Sequence, residues 1–351
     1  MREGEPLTIA LDAMGGDNAP SIVIKGANIA RVRFPHVRYL LVGDEKRIHP
    51  LLKRKPKLRR LTSILHTDTM IQNDTKPSVA LRQGRGSSMW RTVEAVQQGD
   101  AAAAVSAGNT GALMALAKFI LRTLPGIDRP AIAAYFPTLR GESVMLDLGA
   151  NVECDANNLV QFAVMGEMFA RTVLGLQNPS VGLLNVGEEP VKGREAVRTA
   201  SSILQAVDLP IRFEGFVEGD DIASGTVDVI VTDGFTGNIA LKTFEGTARL
   251  LREFVRQAFK SSFVAGLGFL LARAALRKMQ IRTDPRRYNG ALMLGLNGIV
   301  VKSHGGTDAL GFANAIGVAV DMAASGFNDK IKDEFRRLSA SYDGKPQVAA
   351  G

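Results

Sequence analysis

Five segments of this chain place glycine, acid, amide and hydroxyl residues just after a short apolar run. They are Asp12-Ala-Met-Gly15-Gly16-Asp17-Asn18, Ser106-Ala-Gly-Asn109-Thr110-Gly-Ala112, Asp147-Leu-Gly-Ala-Asn151, Asn185-Val-Gly-Glu-Glu-Pro-Val-Lys192 and Asp233-Gly-Phe-Thr-Gly-Asn238. Glycines let a backbone approach a ligand closely, and Asn and Thr side chains can donate to a phosphate or thioester oxygen. Ser106, Asn109 and Thr110 therefore read as an anion cradle, or as a close-packed turn between strand and helix. Gly15, Gly16 and Asp17 lead into Pro20, so backbone amides there can meet an anion, and a capped tight turn uses the same residues. Asp147 with Asn151, and Asp233 with Asn238, each set an acid four or five residues before an amide, a pairing able to orient a donor and steady an oxyanion. Helix capping by the acid or amide accounts for part of that pattern. Lys192 can neutralise a phosphate or pair with Glu188 or Glu189. Of the four histidines, His304 in Val301-Lys-Ser-His-Gly-Gly306 sits in a motif of this kind.

Residues of these types must be held by a scaffold, and the apolar runs supply one. Leu7–Met14, Tyr39–Val42, Ala102–Val105, Ala131–Phe136, Val144–Leu148, Val181–Val186 and Val227–Val231 have the length of buried strands, with helical periodicity between most of them. The alternation predicts an α/β protein with a mainly parallel sheet covered by helices on both faces. Ligands bind such sheets at the C-terminal strand ends, so the five turns are expected to feed one composite site. No GxGxxG follows a strand and no GxxxxGK[ST] occurs, so the standard dinucleotide and P-loop readings lose most of their support.

Residues 245–287 break the alternation with two consecutive helical patterns, expected to form a projecting helical hairpin. Phe263, Leu267, Leu270 and Leu271 recur at i, i+4, i+7 and i+8, with Arg273, Arg277 and Lys278 beyond, the pattern of an interfacial helix or of a contact buried against a second copy. The apolar stretch is too short to span a bilayer, which takes about 20 residues. Domain organisation is expected as one large α/β catalytic domain over 1–340, with the hairpin as an insertion and 341–351 as a flexible tail.

Composition narrows the classes further. Hydrophobic residues at 46% and charged residues at 22% are ordinary globular usage. A single cysteine, Cys154, excludes an intrachain disulfide framework and a cysteine-rich metal site, and the first six residues lack a signal-peptide core, so a cytoplasmic protein is expected. A formal charge of +8, concentrated in Lys46–Arg60 and Arg273–Arg287, favours acidic partners. No zinc-finger, RNA-binding or basic-zipper pattern accompanies it, so nucleic acid is not an expected partner.

Taken together, the ordered set LDAMGGD, SAGNTGA, LDLGANV, NVGEE, VTDGFTGN and KSHGG resembles the PlsX family of bacterial phosphate acyltransferases over nearly the whole chain. The resemblance implies a three-layer fold like that of isocitrate and isopropylmalate dehydrogenases and of phosphotransacetylases, in a homodimer with the site in a cleft. It implies transfer of a long-chain acyl group from acyl carrier protein to inorganic phosphate, in bacterial phospholipid synthesis, with no cofactor and no metal. Within that reading Asn109, Thr110 and Lys192 hold phosphate, Asn151 or Asn238 steadies the carbonyl oxygen, and Asp147, Asp233 and His304 orient them. The carrier protein is acidic, matching the basic hairpin, and the product suits handover to a glycerol-3-phosphate acyltransferase at an anionic membrane surface, making the protein peripherally membrane-associated. Rival readings are a phosphotransacetylase using acyl coenzyme A, a decarboxylating dehydrogenase on the same fold, and a noncatalytic adaptor for membrane or carrier protein.

Overall fold

The computed structural model describes residues 6–207 and 211–342. Its strands are β1 (Thr8–Asp12), β2 (Arg38–Gly43), β3 (Thr62–His66), β4 (Ala103–Ser106), β5 (Ala131–Pro137), β6 (Glu142–Leu146), β7 (Ser180–Leu184), β8 (Arg212–Val217), β9 (Val229–Val231), β10 (Ala291–Leu294) and β11 (Ile299–Lys302). They join in one sheet in the order β3-β2-β1-β4-β11-β10-β5-β6-β9-β7-β8. All seven apolar runs become strands, and four further strands, β3, β8, β10 and β11, lie outside those runs.

Alternate residues of the central strands enter separate cores. Ile9, Ala103, Val105, Ala131, Ala133, Val144, Leu146, Val229 and Val231 pack on one face. Ala104, Ile132, Ala134, Met145 and Ile230 pack on the other. A period of two with both faces apolar is what a sheet covered on both sides requires. Helices Ser21–Arg33, Ala156–Val173 and Ala309–Ala324 bury their apolar residues in the first core. Helices Ser88–Gln98 and Thr110–Leu121 close the second.

Strand direction decides what the sheet can build. Strands β3, β2, β1, β4 and β11 are parallel to one another, β10 is antiparallel to both β11 and β5, and β5 is antiparallel to β6. Strands β6, β9, β7 and β8 are again mutually parallel. Two parallel blocks therefore run in opposite directions. Ser106 pairs with Lys302, and Lys302 with Ala291 at the start of β10, whereas the backbone beyond the end of β6 meets Ile132 at the start of β5. The C-terminal ends of the two blocks thus face opposite ends of the sheet.

Helical hairpin and sequence expectation differ at one boundary. The first helix runs Gly234–Lys260 and starts inside the Asp233–Asn238 motif, 11 residues before position 245; the second runs Phe263–Arg282 and is followed by a 3-10 turn at Pro285–Tyr288. Asp233 accepts from the Thr236 backbone N–H at 2.7 Å and so caps the first helix, which is why the helix begins where the chemistry-bearing residues lie. Of the expected tail over 341–351, residues 341 and 342 end the last helix, Phe327–Tyr342, and the remainder lies outside the described residues.

One buried acid makes the fold sensitive to pH. Glu167, only 5% exposed on the Ala156–Val173 helix, is pushed up from 4.5 to about 7 by burial; Arg171 opposes the shift and Glu334 adds to it. Between pH 4.5 and about 7 the folded state binds more protons at this site than the unfolded chain, so its contribution to stability is lost as pH rises through that window. Glu167→Gln is expected to remove up to about 3 kcal/mol of this pH-dependent loss. Denaturant melts of both proteins at pH 5 and pH 8 test it, and equal slopes with pH would refute it.

Candidate functional site

Opposed strand directions divide the motif residues into two groups. The first gathers at the ends of β1, β4 and β11. Buried Asp12 accepts from Ser106 Oγ at 2.7 Å and from the Met14 N–H at 3.2 Å, and Ser106 Oγ accepts from the Gly108 N–H at 3.1 Å. A Cβ at Gly15 would stand 2.5 Å from Asp12 Oδ2 and 2.8 Å from Gly108 N, so the two loops meet closely only because this residue is glycine. The Asp17 N–H donates to Gly305 O at 3.0 Å, and Asn73 Nδ2 donates to Asp17 Oδ1 at 2.9 Å. His304, an exposed residue, donates its backbone N–H to Asn289 and takes the Gly306 N–H on Nδ1.

Asn109 does not offer its amide to a ligand. Its Oδ1 caps the Thr110–Leu121 helix by accepting from Ala112 N, and both amide hydrogens go to the carbonyls of Asn73 and Thr75. Thr110 is exposed at the first position of that helix. Lys302, which the sequence reading passed over, adds a cationic residue to this group: burial drives its amine down to about 8, while Asp17 and Asp12 oppose the shift, and it donates to the Ser303 carbonyl. Burial raises Asp12, with Ser106 and Ser88 opposing. The first group is thus largely self-satisfied, a network that fastens three strand ends together.

The second group occupies the ends of β6, β9 and β7. Asp147 is fully buried and its carboxylate accepts from the N–H groups of Ile132 (2.9 Å), Gly149 (3.2 Å), Ala150 (3.0 Å) and Asn151 (2.7 Å), and from Asn151 Nδ2 (2.9 Å). Burial still holds its pKa above the ordinary value, with the hydrogen bonds from Ile132, Ala150 and Asn151 opposing. The other Asn151 amide hydrogen goes to Pro130 O at 2.8 Å, so in this arrangement no hydrogen of that amide remains for an oxyanion. Asn151 instead offers its carbonyl to the Gly234 N–H at 2.7 Å, seating the start of the long helix. Both residues brace the site, because their polar atoms are spent on the backbone.

Free polar groups are found on the neighbouring loops. Asp233 receives Arg194 Nη1 at 3.1 Å, an ion pair that ties the loop after β7 to the helix N-terminus after β9. Asn185 Nδ2 clamps that loop through the carbonyls of Gly187 and Lys192, and the Lys192 stem packs over Gly187. Asn238, one turn into the helix, lies beside Gly149, whose φ of +124° suits glycine. Among the described residues, the Lys192 amine and the Asn238 amide have no hydrogen bond or ion pair with protein. A cationic donor and a neutral donor are therefore left free on adjoining strand ends. Cys154 is not a nucleophile here, since burial and the Asp147 and Asp233 carboxylates push its thiol up to about 12.

Lys192 and Asn238 are thus joined in one group, while Asn109, Thr110 and His304 belong to the other. Arg194 was missed although it lies two residues beyond Lys192; its signal would have been the acid four residues upstream of Gly237 awaiting a counter-ion. No group of three or more His, Cys, Asp or Glu side chains suited to a metal occurs among the described residues.

Comparison with known proteins places the chain. A family model described as "Fatty acid synthesis protein" matches residues 7–330. The phosphate acyltransferase of Rhodospirillum centenum is 66% identical over 97% of this chain and 96% of its own length, and that of Paramagnetospirillum magneticum is 62% identical over 98% of each. Among solved structures, a phosphotransacetylase from Streptococcus pyogenes superposes with a TM-score of 0.59 at 17% identity, over 92% of this chain and 95% of that one. The EutD phosphotransacetylase from Staphylococcus aureus superposes at 0.57, also at 17% identity, over 91% and 95%. These two likenesses show a shared mixed α/β fold. A model spanning residues 7–330 and relatives more than 60% identical along nearly their whole length leave one assignment: this chain belongs to the phosphate acyltransferase family and is an acyltransferase.

Proposed function

We propose that the chain transfers a long-chain acyl group from the thioester of an acyl carrier protein to inorganic phosphate, releasing acyl phosphate and free carrier protein in phospholipid synthesis. The observation that carries this reading is the pair of unengaged donors, Lys192 on a loop and Asn238 in the first turns of a helix, on segments tied together by Arg194 and Asp233. A thioester is already activated and phosphate is already an anion, so alignment and charge stabilisation can supply the catalysis. Lys192 holds the phosphate dianion. A phosphate oxygen attacks the thioester carbonyl carbon, and the oxygen of the tetrahedral intermediate takes a hydrogen bond from Asn238. The carbon–sulfur bond then breaks, and the thiol leaves with the proton that phosphate brought. Asp147 acts one step back, by fixing the loop against which Asn238 rests.

The same reading gives the hairpin a role. Phe263, Leu267, Leu270 and Leu271 on the second helix are all more than half exposed, and Arg273, Arg277 and Lys278 follow on its exposed surface. Apolar residues beside cations suit an anionic bilayer surface, and the cations suit an acidic carrier protein in an encounter weakened by salt. Leu250, Leu251 and Phe254 on the first helix are also exposed and offer a second copy a homodimer contact. No single described helix is long and apolar enough to cross a membrane. Surface docking near a membrane brings the product to a glycerol-3-phosphate acyltransferase.

Acyl phosphate trapped with hydroxylamine, from palmitoyl carrier protein plus phosphate, tests the reaction; acetyl coenzyme A as sole working donor would make the enzyme a phosphotransacetylase, and binding without turnover an adaptor. Lys192→Ala and Asn238→Ala should each cut kcat/KM by about 10²–10³-fold. Full activity in either variant would remove that residue from the mechanism. The double change Leu267→Glu with Leu270→Glu should abolish co-flotation with phosphatidylglycerol vesicles while soluble turnover persists, and undiminished flotation would sink the docking role.

A further inference from the structure

Five apolar side chains on the segments that carry or adjoin Lys192 and Asn238 are left in water. Val152, Val186, Val191, Phe235 and Ile239 are between 50% and 78% exposed. Single exposed aliphatics are ordinary, but these five come from the segments that follow three neighbouring strands, β6, β7 and β9. Val152 follows Asn151 and Phe235 follows Gly234, the two residues joined by the 2.7 Å backbone hydrogen bond. Phe235 and Ile239 stand at i and i+4 on the long helix, with Asn238 beside them at i+3, so all three share one face. Val186 and Val191 flank the loop that Asn185 clamps and that Arg194 ties to Asp233. Strands β7 and β9 pair directly, with Leu183 opposite Val231, which sets this loop next to the helix start.

From this juxtaposition we infer that Val152, Val186, Val191, Phe235 and Ile239 form the subsite that holds the hydrocarbon chain of the acyl donor. The inference rests on the acyl-transfer reading given above. An acyl chain continues from the carbonyl carbon that Asn238 serves, so its first methylenes must lie on whatever surface surrounds that amide. Phe235 and Ile239 supply apolar surface beside that amide, whereas the phosphate is anchored by the free amine of Lys192. Each methylene withdrawn from water onto such a surface contributes, so the collar selects long chains over short ones.

The test is the ratio of kcat/KM for palmitoyl against butyryl carrier protein, with hydroxylamine trapping, in the full-length protein and in Phe235→Ser and Val191→Ser. Each variant is expected to lower the ratio about tenfold, the size of effect a pocket gains from one or two methylenes. Ile239→Trp, which fills the path of a long chain with bulk, should lower the same ratio by raising the relative rate with butyryl donor. An unchanged ratio in all three variants overturns the subsite, whether or not total activity falls. A uniform fall with both donors accompanied by dissociation of a dimer in light scattering also overturns it, and assigns the collar to a subunit contact. No acyl phosphate from the unaltered protein with either donor overturns the acyl-transfer reading and the subsite with it, whereas product from both donors together with an unchanged ratio sinks the subsite alone.

Discussion

Burying the carboxylate of Asp147 is the constraint on which the site depends. A charge out of water is tolerated only when hydrogen bonds replace its hydration, and Asp147 recruits four backbone N–H groups and one amide to do so. Those donors come from β5 and from the turn after β6, so satisfying one side chain fixes the approach of two antiparallel strands and the path of the loop beyond them. The loop in turn presents Asn151 O to Gly234 N, and the helix it seats comes so close that a Cβ at Gly237 would lie 2.0 Å from the Asp147 carbonyl oxygen. Gly237 is required there by distance, and Asn238 is the first residue past it able to present a free side chain.

Reversal of strand direction across β10, β5 and β6 explains why similar motifs behave differently. At the β1, β4 and β11 ends, the acid, hydroxyl and glycine of successive loops are consumed by one another. At the β6, β9 and β7 ends, bracing is done by Asp147, Asn151 and the Arg194 to Asp233 pair, and other side chains are released from structural duty. The same vocabulary of Asp, Asn and Gly after a strand therefore yields a fastener in one half and an open arrangement of donors in the other.

What was legible in the sequence follows from the range over which each feature is determined. Central strands announce themselves because both faces are buried, so Ala131–Phe136 or Val144–Leu148 reads as a continuous apolar run. Edge strands β3 and β8 are half solvated, with Ser63, Arg212 and Glu214 among their residues, and β10 and β11 are four-residue strands. The resemblance of the ordered motifs identified the family correctly. Individual roles were harder to read, since whether Asn109, Asn151 or Asn238 keeps its amide free depends on carbonyls 34 to 36 residues away for Asn109 and 21 away for Asn151. The division into two groups was hidden for the same reason: strand direction belongs to the sheet and is carried by no single motif.

The long helix that carries Asn238 also forms the first arm of the hairpin, and its length separates two apolar surfaces. From Asn238 to Lys260 at about 1.5 Å per residue, the helix puts on the order of 30 Å between the free amide and the turn into Phe263–Arg282. The collar at Val152, Val186, Val191, Phe235 and Ile239 lies at the base of that span, and Leu267 and Leu270 lie near its far end, where Phe269 packs on Phe259. An acyl chain on the collar and a surface under the hairpin can thus be engaged together without competing for the same side chains. Residues this far apart and without shared partners contribute independently, so the proposed chain selection and the proposed docking are separable by mutation.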